Sequence, residues 1–217
     1  MLVVSSPKPS KDSHACAINQ WRANASWQRA FDQIVYVGEE ETSLHGHWIW
    51  SAQFPTIQQL LQVCAAQPGW SAIVNADIYV PIQFRMAEAM LMVRTAKACV
   101  SRRWQFEGEN LRDIAVVDLG LDFFAAHQSI WQQVLKEFHP SLRIGHDTWD
   151  SHMLGILNAK ARADFWDITP CRVCLHPKHG DRKRAYEIDS QLPGYKPIWP
   201  VRSLKLYYER TDTQPAA

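Results

Sequence analysis

Two polar side chains follow a short apolar run near the middle of the chain, with a spacing that suits metal or substrate binding. Residues 71–74 have the composition of a strand buried on both faces, and Asn75 and Asp77 come directly after them. In an extended chain residues i and i+2 point to the same side, so this amide and carboxylate could both offer oxygen to one hard cation. Asn and Asp are also ordinary turn residues, so a strand that simply ends in a turn is the alternative.

Three further candidates lie later in the chain. Asp122 follows Gly120 after a second apolar run, where it could hydrogen-bond hydroxyl groups of a ligand or close a turn. Asp150 lies at the start of a predicted helix, whose dipole stabilises a charged carboxylate; catalytic base and helix cap are both consistent with this position. Arg103 could present its guanidinium to phosphate, with Trp104 as an aromatic wall, or it could be a solvated surface arginine.

Two histidines near the end of the predicted domain allow two interpretations. Either His176 or His179 could add an imidazole ligand to a cation held by Asp77, and we favour His176. The histidines also follow Cys171 and Cys174 closely, which suggests a compact zinc site. A strand, however, would point the two cysteines to opposite faces, and the spacing between the Cys and His pairs is shorter than in usual zinc fingers.

The elements that would hold these residues alternate between strand and helix. Strands are predicted at residues 2–6, 33–37, 71–74, 97–104, 114–118 and 164–175, the last interrupted at Pro170. Helices are predicted at about 11–31, 56–67, 83–96, 128–138 and 147–161. Residues 42–55 have no clear period and are predicted to be a loop. This order predicts one α/β domain with a mostly parallel, doubly wound sheet and helices on both faces.

Composition narrows the class of protein. The 217 residues are 47% hydrophobic and 21% charged, as expected for a globular domain, and the formal net charge of +1 argues against a protein-wide basic field for nucleic acid. The N-terminus lacks a basic n-region, and no apolar run approaches the roughly 20 residues needed to cross a membrane, so we expect a cytoplasmic protein. The odd number of cysteines, five, fits reduced core thiols better than a disulfide framework.

Several common enzyme signatures are missing from the sequence. It has no G-x-G-x-x-G after the first predicted strand and no G-x-x-x-x-G-K-[ST], so a dinucleotide oxidoreductase or a P-loop enzyme is not expected. The sequence also lacks a G-x-S-x-G elbow, which argues against a serine hydrolase.

Taken in order, the remaining motifs resemble those of the GT-A glycosyltransferases over about residues 1–180. These motifs are Asn75-Ala-Asp77, Gly120-Leu-Asp122, Trp149-Asp150 and His176-Pro-Lys-His179. In that superfamily a D-x-D motif after the central strand holds a divalent metal on the donor diphosphate, a glycine-containing loop shapes the pocket, a later acidic motif supplies a catalytic carboxylate, and a C-terminal histidine completes the metal shell. Asn75 replaces the first aspartate of D-x-D here, which leaves Asp77 as the stronger ligand.

The resemblance implies a GT-A-like, Rossmann-like fold and transfer of a sugar from a nucleotide-diphosphate donor with Mn or Mg. It assigns the metal to Asp77, His176 and His179, and catalytic or pocket roles to Asp150 and Asp122. It assigns donor binding to a further set of residues: Ser5, Ser6, Glu39, Asn75 and Arg103. A plain loop role is the alternative for Ser5, Ser6 and Glu39.

The sequence allows more than one interpretation of the acceptor and of the last part of the chain. Residues 180–217 are basic and then rich in Pro and aromatics, and we expect a strap packed on the domain of residues 1–179. Lys178 and residues 182–184 form a basic cluster that suits a phosphate-bearing acceptor such as DNA, a glycan being the other candidate, or that is only a solvated face. Two other functions remain: a nucleotidyltransferase acting on a sugar phosphate, and a non-catalytic module that binds carbohydrate or nucleic acid.

Overall fold

The structure is a computed structural model that describes residues 1–8, 14–39, 42–106, 114–140, 142–144, 149–177 and 202–203. Its strands are β1 (Leu2–Ser5), β2 (Gln33–Gly38), β3 (His47–Trp50), β4 (Trp70–Val74), β5 (Ala98–Phe106), β6 (Ile114–His127), β7 (Phe165–Asp167), β8 (Leu175–Pro177) and β9 (Arg202–Ser203). Its α-helices are α1 (His14–Ala30), α2 (Ile57–Ala66), α3 (Phe84–Val93), α4 (Gln128–Glu137) and α5 (Trp149–Ala161).

The strands form one mixed and mostly parallel sheet. Their order is β3-β2-β1-β4-β6-β5-β7-β9, and β8 pairs with the far end of β5. The strand β6 is antiparallel to both of its neighbours, β4 and β5, whereas the other pairs are parallel. The predicted fold class is thereby confirmed.

Helices cover both faces of the sheet. Successive side chains of its central strands point to opposite faces, and both sets of side chains are buried. Val4 and Ile73 belong to a core that α2, α4 and α5 complete, while their neighbours Val3 and Ala72 face a second core with α1 and α3. A strand that is buried on both faces has a continuous apolar sequence, and for this reason β4 was predictable from residues 71–74. Within the described residues no helix is long and apolar enough to cross a membrane.

Three predicted elements are wrong in part. Residues 47–50, expected in a loop, form β3, because Val35 to Gly38 in β2 offer it a parallel ladder that local periodicity does not reveal. The predicted strand 114–118 continues to His127, and Gly120 therefore lies in a strand and not in a loop. The predicted strand 164–175 is two short strands, β7 and β8, separated by a 3-10 turn at Thr169–Cys171 that contains Pro170.

The last residues of the chain are described only in part. Of the predicted strap at residues 180–217, the structure describes Arg202 and Ser203, which pair with Trp166 and Asp167 on the edge of the sheet. The basic cluster at Lys178 and residues 182–184, and His179, lie outside the described residues.

Candidate functional site

The site begins where β4 ends against its antiparallel neighbour. The ladder of β4 and β6 pairs Val74 with Phe123, and one residue further the Asn75 backbone N–H donates to the carbonyl oxygen of Asp122 at 3.1 Å. The Asn75 side-chain amide also donates to the carboxylate of Asp122. The register of β6 therefore brings together two of the predicted site residues that are 47 positions apart in the sequence.

Asp77 faces His176 across the same end of the sheet. The Asp77 Oδ2 and His176 Nε2 atoms are 3.5 Å apart, and the side chains are 22% and 6% exposed. Two backbone hydrogen bonds between Tyr79 and Leu175, of 2.8 and 3.0 Å, hold the loop after Asp77 against β8. This bridge explains why a residue from the last part of the predicted domain meets the loop that follows β4.

Arg103 reaches the site from β5. Its Nη1 lies 3.3 Å from Asp122 Oδ2 in a mostly buried ion pair. The arginine lies against Gly120 of β6: a Cβ atom built at Gly120 would be 2.7 Å from Arg103 Nε and 2.8 Å from its Cζ. Glycine at position 120 thus lets the guanidinium cross β6 and reach Asp122.

The carboxyl groups of Asp122 and Asp150 are both largely buried, and the charged residues around them affect their pKa values. Burial raises the pKa of Asp122 to about 6; Arg103 and His176 act to lower it, while Asp77 and Asp150 act to raise it. Burial also raises the pKa of Asp150, against hydrogen bonds from the backbones of Ser151 and Leu121 and the charge of Arg103. Asp122 therefore interacts electrostatically with Asp77, Asp150 and Arg103, and Arg103 also acts on Asp150.

An open pocket of about 390 Å³, including solvent at its mouth, adjoins this cluster. It is lined by Ser6, Lys8, Cys16, Gln20, Phe54, Asn75, Ala76, Asp77 and Ile144. Three predicted residues, Ser6, Asn75 and Asp77, are therefore on its wall. Sequence reasoning missed Lys8, although its position in the loop at the carboxyl end of β1 is where open α/β sheets bind ligands and was a usable signal.

Other predicted site residues lie elsewhere. Ser5 is fully buried, and its hydroxyl donates to the Val74 carbonyl oxygen at 2.6 Å, which ties β1 to β4 beneath the pocket. Glu39 is exposed just after β2 and does not line the pocket. His179 lies outside the described residues. The roles predicted for these three residues stay predictions.

A divalent cation fits the donor set of Asp77 and His176. Mg²⁺ is held at about 2.1 Å, so an oxygen and a nitrogen atom 3.5 Å apart are close enough to share one ion. Across the described ranges, no three His, Cys, Asp or Glu side chains form a cage that could hold a metal ion. Cys171, Cys174 and His176 are among these described residues and form no such cage, so the compact zinc site has no support there; His179 lies outside the described residues. A cation at Asp77 would take its further ligands from water or from oxygen atoms of a bound molecule.

The raised pKa of Asp122 predicts an unusual pH dependence of stability. Between about pH 4 and 6 the folded protein keeps a proton that an unfolded aspartate has released, so the free energy of unfolding should fall as pH rises through this window. A shift of about two units corresponds to roughly 3 kcal/mol. Asp122→Asn should flatten this slope, measured by urea unfolding at pH 4, 5, 6 and 7. An Asp164→Asn control should keep it, and equal slopes in the wild type and Asp122→Asn would contradict the prediction.

Comparison with known proteins identifies the fold. No protein-family profile and no curated protein sequence matches the chain. Among solved structures, TarS 1–349 from S. aureus aligns with a TM-score of 0.53 and 10% identity, over 81% of this chain and 60% of that one. TarS 1–349 in complex with UDP-GlcNAc aligns with a TM-score of 0.54 and 9% identity, over 83% and 59%.

A third similar structure is the mannosyltransferase PcManGT from Pyrobaculum calidifontis, in complex with GDP-Man and Mn²⁺. It aligns with a TM-score of 0.52 and 15% identity, over 85% of this chain and 58% of that one. The chain thus spans less than two thirds of the length of these three structures. The chain has a GT-A-like, Rossmann-like fold, with a mixed, mostly parallel sheet between two layers of helices.

Proposed function

We propose that the chain is a glycosyltransferase that moves a sugar from a nucleotide-diphosphate donor to a hydroxyl acceptor, assisted by a divalent metal, Mn or Mg. The observation that carries this proposal is the meeting of Asp77 and His176 beside a pocket that also contains Lys8. The pocket lies at the carboxyl ends of β1 and β4, the position where open α/β sheets bind nucleotides.

The pocket has groups for each part of a nucleotide diphosphate. Phe54 and Ile144 offer apolar surface for a base, and the Lys8 ammonium would attract phosphate. The hydroxyl of Ser6 is buried and has no hydrogen-bond partner within the described residues, so it is available to a ligand.

The metal would be held by Asp77 and His176, with the Asn75 amide oxygen beside them. Held by these residues, the cation would supply positive charge to the leaving diphosphate. The Asn75 side chain donates to Asp122, so its amide orientation is fixed before any ligand arrives. Preorganised polar groups of this kind cost no reorganisation during the reaction.

Asp150 is proposed to accept the proton of the acceptor hydroxyl. Burial raises its pKa, and a carboxylate of raised pKa is a stronger base. Its Oδ1 accepts a hydrogen bond from the Ser151 backbone at 2.7 Å, which orients the carboxylate at the start of α5. The charge of Arg103 acts to lower the pKa of both Asp122 and Asp150, against the effect of burial. We assign to its guanidinium the donor phosphate or sugar.

The acceptor is proposed to be a hydroxyl group, with a hydroxylated base in DNA as one candidate and a glycan as the other. Support for this part comes from the sequence, through the basic cluster at Lys178 and residues 182–184. Transfer assays with hydroxymethylated DNA and with oligosaccharides as acceptors separate the two cases.

The first test is the melting temperature of the protein with a panel of nucleotides and nucleotide sugars, with and without Mn²⁺. A ligand at a hundred times its Kd stabilises the folded protein by about 2.7 kcal/mol. For a domain of this size that is a rise of about 5 to 10 °C. We expect one nucleotide base to give this rise only with metal. No rise with any of the ligands would overturn the proposal and favour a binding module.

A further inference from the structure

The five cysteines, all within the described residues, differ sharply in accessibility. Four are buried: Cys64, Cys99, Cys171 and Cys174. Burial raises the pKa of Cys64 to about 12 and raises the pKa of Cys99 and Cys174 as well. Such thiols are inert because the thiolate is the reactive form. Cys16 is only partly buried and is the exception among the five.

Cys16 lies on the wall of the pocket assigned to the donor. It is near the start of α1 and shares the pocket with Ser6, Lys8 and Asp77. Its Sγ is 3.0 Å from the side-chain amide of Gln20. That amide can also pair with both backbone groups of Lys8 at 3.2 Å, which joins the thiol to the loop after β1. A group attached to Cys16 would therefore start inside the pocket.

A second feature of the same pocket points to a ligand independently of the thiol. Ser6 is 4% exposed, and its Oγ has no hydrogen-bond partner among the described residues. Buried polar atoms are nearly always hydrogen-bonded, so an orphaned hydroxyl on a pocket wall indicates a site completed by a bound molecule. Cys16 and Ser6 both line this one open pocket.

We propose that Cys16 is a modification site for low-molecular-weight disulfides and that its adduct closes the donor pocket. The second half of this inference rests on the proposed function. The Cys16 thiolate, formed by loss of its proton to water, attacks one sulfur of the disulfide. A new S–S bond forms, the original S–S bond breaks, and the other half leaves as a thiolate that takes up a proton. Dithiothreitol reverses the reaction.

Oxidised glutathione and iodoacetamide are the two probes that test the site. Native protein should gain one adduct per chain, located at Cys16 by peptide mass spectrometry, and Cys16→Ser should gain none. Denatured protein should gain five with iodoacetamide, one for each cysteine. Ala76→Phe, which enlarges a side chain on the pocket wall, should slow labelling at least fivefold, with its melting curve as the check that it folds.

The effect on the pocket is measured by melting with nucleotide diphosphate and Mn²⁺. The glutathione adduct should abolish the rise in melting temperature, dithiothreitol should restore it, and Cys16→Ser should keep it after the same treatment. Slow labelling of Cys16, labelling of the other cysteines first, or an undiminished rise in the adduct would overturn the inference. Selective labelling that Ala76→Phe slows, in a protein that no nucleotide stabilises, would support the modification site and refute the proposed donor.

Discussion

Replacement of Asp77 by alanine is expected to lower kcat/KM for sugar transfer at least 10³-fold, about 4 kcal/mol of transition-state stabilisation. Asp77 supplies the carboxylate of the only donor pair that we assign to the metal in the described part of the chain, and its Oδ2 is 3.5 Å from His176 Nε2. A lone imidazole holds a hard cation poorly, because such cations prefer oxygen ligands. The variant should also lose the metal-dependent part of the donor's effect on melting temperature.

Two further variants make the Asp77 result specific. Asp77→Asn keeps the size of the side chain and should retain the fold and part of the nucleotide binding, but not the metal dependence. Asp164→Ala removes a partly exposed aspartate that pairs with Lys97 at 3.0 Å outside the pocket, and it should behave as wild type. Full turnover by a folded Asp77→Ala protein would show that Asp77 has no part in catalysis.

Loss of Arg103 is the second large effect that we expect, and it concerns stability as well as binding. Arg103→Ala leaves Asp122, which is 5% exposed, without its nearest cation. Removing one partner of a buried pair costs about 3 to 5 kcal/mol in general. Protonation of Asp122, whose pKa would rise further, limits the electrostatic cost here to about 1.4 kcal/mol at pH 7, because pH 7 is about one unit above its pKa of about 6. Urea unfolding measures it.

A double-mutant cycle and a second variant separate the contribution of the Arg103 charge to stability from the contribution of its packing. Asp122→Asn in the Arg103→Ala background should recover part of the lost stability, since the uncompensated carboxylate is gone. Gly120→Ala should push the guanidinium off Asp122 and lose the electrostatic part of the stability while it keeps the Arg103 side chain, because the atoms that the new Cβ meets are at the flexible end of Arg103. Both Arg103→Ala and Gly120→Ala should weaken donor binding at least tenfold. Arg94→Ala, which removes an exposed cation over Trp166, is the matched control.

The sequence predicted the secondary structure correctly where the local residue pattern and the tertiary packing favour the same conformation. The apolar run of β4 is buried on both faces, so its composition alone predicted a central strand with Asn75 and Asp77 at its carboxyl end. The strand β6 is the opposite case. Around Gly120 and Asp122 the chain has turn-like residues, yet ladders with β4 and β5 keep it extended to His127. Pairing between distant strands overrides local propensity there.

Several residues of the candidate site were predicted individually from the sequence, but their arrangement was not. Types and spacing singled out Asp77 and His176, whereas the Arg103–Asp122 ion pair depends on the β6 register and on register shifts in β5 between Ser101 and Trp104. Lys8 was missed because a lysine between two prolines looks like an ordinary solvated loop. Its place on the pocket wall follows from the packing of that loop beside α1 and β4.

The antiparallel insertion of β6 also has a consequence for the order of folding events. The contacts that make the pocket link distant parts of the chain: Ser5 bonds to Val74, 69 positions away, and Asn75 to Asp122, 47 positions away. Closing such long loops costs entropy before any contact is made, so these contacts form late. The helices can form early from local sequence, but the carboxylate and the imidazole meet only after β8 has docked. Ligand binding is therefore a readout of complete folding, and no fragment that ends before β8 contains the site.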